Sequence, residues 1–221
     1  MRLPGGVFRG VMSPEPEVRA RSRWVENGKS LALALVLALG VRVGIAQAYE
    51  VDGPSMEPSL VSGQRLLVLR AAYGLSLPGV DEAIALWDLP RVGDVVIVRS
   101  PMDGLDLVKR VVGLPGDEIE VRGGVIWRNG APVHQEVTGA CDPARHASVD
   151  LGCEVIEEEI EGRRWRTSRS TLDGIFADVM PVQVPEGYVF VMGDHRDRSN
   201  DSRAFGPVPA SRLRGRVLLV D

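Results

Sequence analysis

The feature that most constrains the fold is a continuously apolar run near the N-terminus, residues 30–41, which is rich in good helix formers. No other run in the chain is as strongly apolar. The run is shorter than the roughly 20 residues that a helix needs to cross a bilayer. It reaches that length if Lys29 and Arg42 extend their charged ends to opposite membrane interfaces. We therefore expect a single transmembrane anchor over residues 30–48.

Two other interpretations of this run stay open. Residues 46–48, Ala-Gln-Ala, have the spacing of a signal-peptide cleavage site, although the long preceding segment and Arg42 argue against cleavage. The third interpretation is a buried helix of a globular domain. For an anchor, the basic excess of residues 1–29 places this tail in the cytoplasm, and residues 49–221 lie on the outer, periplasmic side of the inner or plasma membrane.

The composition of the 221 residues argues against two classes of partner. A net charge of −4 and a sequence pI near 5.5 are unlike those of most nucleic-acid-binding proteins. The cysteines, Cys141 and Cys153, lack the paired spacing of a zinc site, and His146 between them adds little. We therefore expect no nucleic acid, no metal and no cofactor. The 25 glycines and 15 prolines instead suit a turn-rich β protein.

Beyond residue 60 the pattern is that of β-strands. Short runs of valine, leucine and isoleucine alternate with turn residues, and the pair Gly123-Gly124 is typical of a tight hairpin turn. Residues 133–153 suggest an irregular loop, and the charged, alternating hairpin of residues 154–168 suggests a solvated sheet. The other predicted strands are residues 65–70, 93–99, 105–112, 118–122, 125–128, 187–192 and 214–220.

A short segment after the apolar run is suited to presenting a reactive hydroxyl. Ser55 lies between Pro54 and Pro58 in the sequence Gly-Pro-Ser-Met-Glu-Pro. Each proline disfavours a helical conformation in the residue before it, so the serine is held in an extended or turn segment. Such a hydroxyl can be aimed at a target. A plain loop at the edge of a domain would have the same composition.

The second unusual residue is Lys109. The chain has 26 lysine and arginine residues, and only Lys29 and Lys109 are lysines. Codon bias can explain the preference for arginine, but it does not explain why a lysine stands in a strand-like apolar run. Arginine stays protonated in proteins, whereas a buried lysine readily loses its proton. A neutral amine is therefore expected at Lys109.

Comparison with other serine chemistries favours a Ser–Lys dyad. The Gly-x-Ser-x-Gly motif fails at Ser55 because residue 57 is glutamate, and no serine is followed by lysine at the third position after it. A Ser-His-Asp triad would need one of three histidines, of which only His195 has a suggestive context. A loop histidine among charges is the simpler interpretation. The remaining arrangement has Ser55 as nucleophile and Lys109 as base.

Four segments then give the chain a specific resemblance. In sequence order, and after an N-terminal apolar segment, they resemble the conserved boxes of bacterial signal peptidase I. Each segment alone is modest, but four in the same order are highly specific, and the resemblance runs from about residue 41 to the C-terminus. The four segments are residues 53–58, 91–97, 109–117 and 193–203.

This resemblance implies a fold, an activity and partners. The fold is mainly β: one N-terminal transmembrane helix and an antiparallel β-sheet catalytic domain over residues 49–221, with a smaller β sub-domain inserted at about 123–184. The activity is that of a membrane-bound serine endopeptidase, which cleaves signal peptides from exported pre-proteins after small residues. The implied partners are these signal peptides and membrane lipid, and we expect a monomer that uses no cofactor.

The resemblance also assigns roles to individual residues. Ser55 matches the nucleophile and Lys109 the general base, while Ser199 matches a serine whose hydroxyl bonds and orients that lysine. One departure concerns Gly53, where many relatives carry a hydroxyl that helps to bind the oxyanion. The oxyanion site is then expected to use the Ser55 backbone N–H and a second backbone N–H. The supporting residues are charged: Asp201 and Arg203 as an ion pair under the site, and Asp194 and Arg110 in structural roles.

An outer location is oxidising, so the two cysteines of one loop-rich stretch suggest a Cys141–Cys153 disulfide, with two free thiols as the alternative.

Two other functions also stay open. One is a dedicated maturation peptidase for a single secretion or conjugation substrate. The other is an anchored β-domain that binds peptides without cutting them, which the presence of both Ser55 and Lys109 disfavours. A self-cleaving repressor would need a DNA-binding segment where this chain has an apolar one.

Overall fold

The globular part of the molecule is an assembly of β-sheets. The chain divides into two compact units, residues 1–41 and residues 42–221. In the first unit the described residues form helix α1, residues 28–34. Within the described ranges, no helix is long and apolar enough to cross a membrane. The computed structural model describes residues 28–34, 46–77, 79–142, 152–170 and 178–220.

The predicted anchor over residues 30–48 overlaps a β-strand at its C-terminal end. Its last three residues belong to strand β1 (Ala46–Glu50), because their backbone pairs in antiparallel register with strand β2 (Arg65–Leu69). Its first five residues are helical, and residues 35–45 lie outside the described part of the chain. The sheet therefore begins a few residues earlier than the predicted boundary at residue 49.

Strands follow one another along the whole second unit, and the helices between them are short. Three 3-10 turns occur at Arg70–Ala72, Arg196–Arg198 and Ala210–Arg212, and helix α2 spans Ser202–Phe205. After β1 and β2, the described strands are β3 (Gly74–Leu75), β4 (Ala85–Leu86), β5 (Val95–Arg99), β6 (Asp106–Gly113), β7 (Glu118–Arg122), β8 (Val125–Arg128), β9 (Ala131–Pro132), β10 (His134–Ala140), β11 (Cys153–Ile160), β12 (Arg163–Ser170), β13 (Val179–Gln183), β14 (Tyr188–Met192), β15 (Val208–Pro209) and β16 (Leu213–Val220).

Seven strands form the main sheet, in the order β1-β2-β16-β5-β6-β14-β15. Its central strands β5 and β6 are rich in valine, whose branched side chain suits a sheet that is covered on both faces. Successive residues point to opposite faces, so Val96 and Val98 enter one apolar cluster while Ile97 enters another. The register pairs Val96 with Lys109 and so places the lysine in the interior of this sheet.

Two smaller antiparallel sheets are inserted between β6 and β14. One has the order β13-β7-β8-β9, and the other, which we call the three-stranded sheet, has the order β10-β11-β12. The insertion packs onto the main sheet, because Ile119 and Trp165 share an apolar cluster with Phe190. The fold is thus mainly β and antiparallel, as predicted, and the inserted strands begin at Glu118 rather than at about residue 123.

Strand β10 departs most clearly from the predicted pattern, which gave residues 133–153 as an irregular loop. Most of its residues are exposed, so no alternation of apolar and polar side chains marks it in the sequence. Its antiparallel pairing with β11 holds it in the sheet. Strands β11 and β12 match the predicted charged hairpin, and their turn places Glu161 and Gly162 at φ values of +53° and +75°.

The two cysteines lie at the start of the loop that connects β10 to β11 and at its end. They are joined as a disulfide, with Cα atoms 5.4 Å apart, and the Cys141 N–H also donates to the Cys153 carbonyl oxygen at 3.0 Å. The bridge closes a short loop, because the cysteines are 12 residues apart in sequence. It therefore fastens the exposed outer strand β10 to its neighbour.

We predict that the denatured, unreduced protein contains no free thiols when it is titrated with a thiol reagent. Replacing both cysteines by serine should lower the free energy of unfolding by at most roughly 3 kcal/mol, because the closed loop is short. Titration of two thiols per chain in protein that was never reduced would contradict the pairing of Cys141 with Cys153.

Candidate active site

The Ser55 loop, residues 51–64, connects β1 to β2 and holds its serine in a tight turn. The Glu57 N–H donates to the Pro54 carbonyl oxygen at 3.1 Å across this turn. The Ser55 carbonyl oxygen accepts a second hydrogen bond, from the His195 N–H at 3.1 Å. The serine is thus fixed from both sides while its side chain remains partly exposed.

Lys109 lies in strand β6 and is almost completely buried, with 2% of its surface exposed. Its Nζ lies 2.9 Å from the Ser55 Oγ, although the two residues are 54 positions apart in sequence. The same Nζ donates to the Val108 carbonyl oxygen at 2.9 Å, which orients the amine. The structure therefore brings together the two residues predicted to form the dyad.

Burial lowers the pKa of Lys109 from 10.5 to about 8, because the charged amine loses its hydration. The negative charges of Asp201 and Asp194 act in the opposite direction and raise the pKa, but they do not outweigh burial. A substantial fraction of the amine is therefore neutral near pH 8. Such an amine can accept the proton of the Ser55 hydroxyl.

Arg110 and Asp194 form a buried, bidentate ion pair beside the site. The Arg110 Nε and Nη2 donate to the two carboxylate oxygens at 2.8 and 2.6 Å. Arg110 Nη1 also donates to the Gly93 carbonyl oxygen at 2.8 Å, and the guanidinium lies 5.2 Å from the centre of the Trp165 ring. This pair links strand β6 to the Gly193 loop, residues 193–201.

A second bidentate pair, between Arg203 and Asp201, lies at the end of the Gly193 loop, with distances of 2.9 and 2.8 Å. Burial by itself would raise the pKa of Asp201, but hydrogen bonds and charge from Arg203 outweigh it and the pKa is lowered. The Asp201 carboxylate also accepts a hydrogen bond from the Gly193 N–H at 2.9 Å. A side chain at Gly193 would lie 2.5 Å from the Ser55 carbonyl oxygen, so only glycine fits.

The predicted hydrogen bond from Ser199 to Lys109 is wrong for this structure. Ser199 is buried, but its Oγ makes no hydrogen bond of normal geometry with any described residue. Instead it lies against the backbone of Gly193 and near the Asp201 carboxylate. The lysine is oriented by the Val108 carbonyl oxygen, a main-chain contact that no side-chain pattern reveals.

His195 lies in a loop among charged residues, as its sequence context suggested, and is buried under the Ser55 loop. Its side chain is 2% exposed, and its Nδ1 lies 3.9 Å from a carboxylate oxygen of the equally buried Glu57. Burial lowers the pKa of the imidazole. His195 contacts the serine through its backbone N–H, which donates to the Ser55 carbonyl oxygen. Its position therefore supports the backbone of the Ser55 loop.

Gly53 adopts a φ of +80°, a conformation that favours glycine, at the entrance to the Ser55 turn. The Ser55 N–H donates to no acceptor in the described part of the chain. Among the same residues, no group of three or more histidine, cysteine, aspartate or glutamate side chains is placed to hold a metal ion.

Comparisons with known proteins point to one family. The family model described as signal peptidase, peptidase S26, matches residues 24–220. A signal peptidase I of Pseudomonas fluorescens is 34% identical over 211 residues, which cover 89% of this chain and 72% of the relative. A signal peptidase I of Pseudomonas aeruginosa is 33% identical over 199 residues, covering 87% of this chain and 68% of the relative.

A solved structure of a signal peptidase I from Enterococcus faecalis V583 is 27% identical. The match covers 60% of this chain and 98% of the other, with a TM-score of 0.36, too low for a detailed comparison of the two folds. The family model and the two Pseudomonas relatives each cover most of the sequence. The chain therefore belongs to the signal peptidase family, peptidase S26.

Proposed function

We propose that this chain is a serine endopeptidase that cleaves signal peptides from exported pre-proteins, with Ser55 as nucleophile and Lys109 as general base. The observation that carries the proposal is the 2.9 Å contact between the Lys109 Nζ and the Ser55 Oγ. A lysine that served only as a charged partner would be expected beside a carboxylate. Lys109 is instead buried against a hydroxyl and a carbonyl oxygen. Burial without a contacting carboxylate favours the neutral form of the amine.

In the first step the neutral amine of Lys109 accepts the hydroxyl proton as the Ser55 Oγ attacks the carbonyl carbon of the scissile bond. The Ser55 N–H supports the oxyanion that forms, because it has no acceptor within the described protein. The lysine ammonium then gives its proton to the leaving amine. In the second step the neutral lysine accepts a proton from water as the water oxygen attacks the acyl carbon. The bond from this carbon to the Ser55 Oγ then breaks, and the lysine ammonium returns its proton to the serine oxygen.

The surroundings of Ser55 support a preference for small substrate side chains. Val51, Met56 and Leu60 flank the serine in sequence, and all three are buried in one apolar cluster. Val108, the residue before the lysine, packs against the same cluster. We infer that the substrate meets this packed cluster beside the serine, which leaves room for an alanine or glycine and disfavours a bulky residue.

We further propose that the segment before β1 anchors the enzyme in the inner or plasma membrane, with the sheets on the outer side. The support is the apolar run of residues 30–41 and the basic excess of the tail before it. A signal-peptide substrate is itself apolar and membrane-inserted. An anchored enzyme therefore meets its substrate within the same membrane.

We predict that the detergent-solubilised full chain cuts a secretory pre-protein at one bond, directly after a small residue, as read by mass spectrometry. Replacing the residue before that bond by phenylalanine should abolish the cut, because the packed apolar cluster next to Ser55 leaves no room for a large side chain. The Ser55→Ala variant, which lacks the proposed nucleophile, is the negative control. Cutting of both substrates at equal rates would contradict the proposed specificity, and no cutting of any pre-protein would contradict the proposed activity.

We predict that Lys109→Arg folds but reduces cleavage to the level of Ser55→Ala. Guanidinium keeps its proton and cannot act as a base, whereas a purely electrostatic role would survive the substitution. The matched control is Lys29→Arg, which makes the same change at the other lysine of the chain and should leave the rate unchanged. If Lys109→Arg kept a tenth or more of wild-type cleavage, the base would have to be another group.

A further inference from the structure

The three-stranded sheet is part of the insertion, yet strand β12 contacts both loops of the active site. The Ser168 N–H donates to the Asp194 carbonyl oxygen at 2.8 Å, and Ser168 forms an isolated β-bridge with His195. The Ser168 Oγ donates to the Glu57 carbonyl oxygen at 3.1 Å. One residue of this sheet thus holds the Gly193 loop and the Ser55 loop at the same time.

The adjacent strand β11 contributes a fully buried carboxylate, Glu158. It accepts hydrogen bonds from Gln135 Nε2 at 2.8 Å and from Trp165 Nε1 at 3.1 Å, both within the three-stranded sheet. Its remaining partner is the guanidinium of Arg196, which belongs to the Gly193 loop and is itself buried. The Nε of Arg196 donates to the Gly193 carbonyl oxygen at 3.1 Å.

These contacts form a continuous chain from the insertion to the backbone of Ser55. Glu158 fixes Arg196, and Arg196 fixes the carbonyl group of Gly193. The backbone at Gly193 lies directly against the Ser55 carbonyl oxygen, which is also held by the neighbouring His195 N–H. A displacement of this loop at Gly193 would therefore move the serine relative to the lysine, whose own position is set by the pairing of β6 with β5 in the main sheet.

We propose that the Glu158–Arg196 pair is a positioning device for the dyad, through which the three-stranded sheet sets the distance between Ser55 and Lys109. This rests on the proposed function, because positioning is defined by its effect on catalysis. The pair touches no reacting atom, so it acts through the Gly193 loop alone. Burying two charges contributes little net stability compared with apolar residues, so a role in specifying geometry accounts for their presence better than a role in stability.

The first test is the cleavage kinetics of Glu158→Gln in the detergent-solubilised full chain. The substitution keeps the size of the side chain and removes the charge that holds Arg196. We expect kcat to fall by about 10- to 100-fold, because small misplacements of reacting groups have effects of this size, with KM changed by less than about threefold. The matched control is Glu159→Gln on the same strand, whose carboxylate pairs with the exposed Arg164 and should leave kcat unchanged.

The second test separates positioning from stability. In the double variant Glu158→Met/Arg196→Met, two apolar side chains of similar length replace the buried pair, and such replacements often preserve stability. We expect its thermal midpoint to lie within a few degrees of the wild type while kcat stays as low as in Glu158→Gln. A double variant that folds and regains wild-type kcat would overturn the proposal, because the pair would then serve stability alone.

Hydrogen exchange provides a readout that does not depend on activity. In Glu158→Gln we expect faster exchange in peptides that contain the His195 and Ser168 amides, which bridge the two loops and the three-stranded sheet. The hairpin in which the Val133 N–H donates to the Ile126 carbonyl oxygen should exchange at the wild-type rate. Unchanged exchange at His195 and Ser168 would overturn the proposal. An inactive wild-type enzyme would instead refute the proposed function.

Discussion

The active site depends on one buried amine held against one serine hydroxyl. Among the residues that the structure describes, no carboxylate lies within hydrogen-bonding distance of Lys109; its Nζ contacts the Ser55 Oγ and the Val108 carbonyl oxygen. Burial drives the pKa of this lysine down to about 8, a shift worth roughly 3 kcal/mol. Because the folded pKa lies below the unfolded value, this cost to stability is full below about pH 8 and disappears as the pH rises through 10.5.

The surrounding ion pairs are arranged so that they do not cancel this effect. Asp194 and Asp201 are both buried near the lysine and raise its pKa, but each is matched by its own bidentate arginine, Arg110 or Arg203. The two carboxylates can therefore organise the Gly193 loop without acting as direct partners of the amine. Loss of either arginine would leave a buried negative charge, which would favour the protonated lysine.

The sequence was sufficient to predict the main strands and to single out the proposed dyad, whose two side chains the structure brings within 2.9 Å of each other. A serine fixed between prolines and one lysine in an apolar run among arginines indicate Ser55 and Lys109 without any coordinates. The short valine-rich runs, which alternate along the chain with turn residues, predict strands. The disulfide partners also followed from the cysteine count and the predicted outer location.

Other parts of the site could not be predicted, because they depend on contacts between distant segments. The run Glu157-Glu158-Glu159 suggests a solvated face, yet the middle residue is fully buried because Arg196 reaches it from a loop 38 positions away. His195 stands among charged residues and is nevertheless buried under the Ser55 loop. Orientation of the lysine by a main-chain carbonyl oxygen, in place of Ser199, leaves no trace in the sequence at all.

The most direct test of the account is the ionisation of Lys109 itself. The chain has only two lysines, so protein labelled with carbon-13 at the lysine ε position should give two signals, and Lys29→Arg assigns the one that remains to Lys109. A pH titration followed by NMR should show this signal moving with a midpoint near pH 8. A midpoint above pH 10 would mean that the amine is charged throughout the working range, and Lys109 could not be the base.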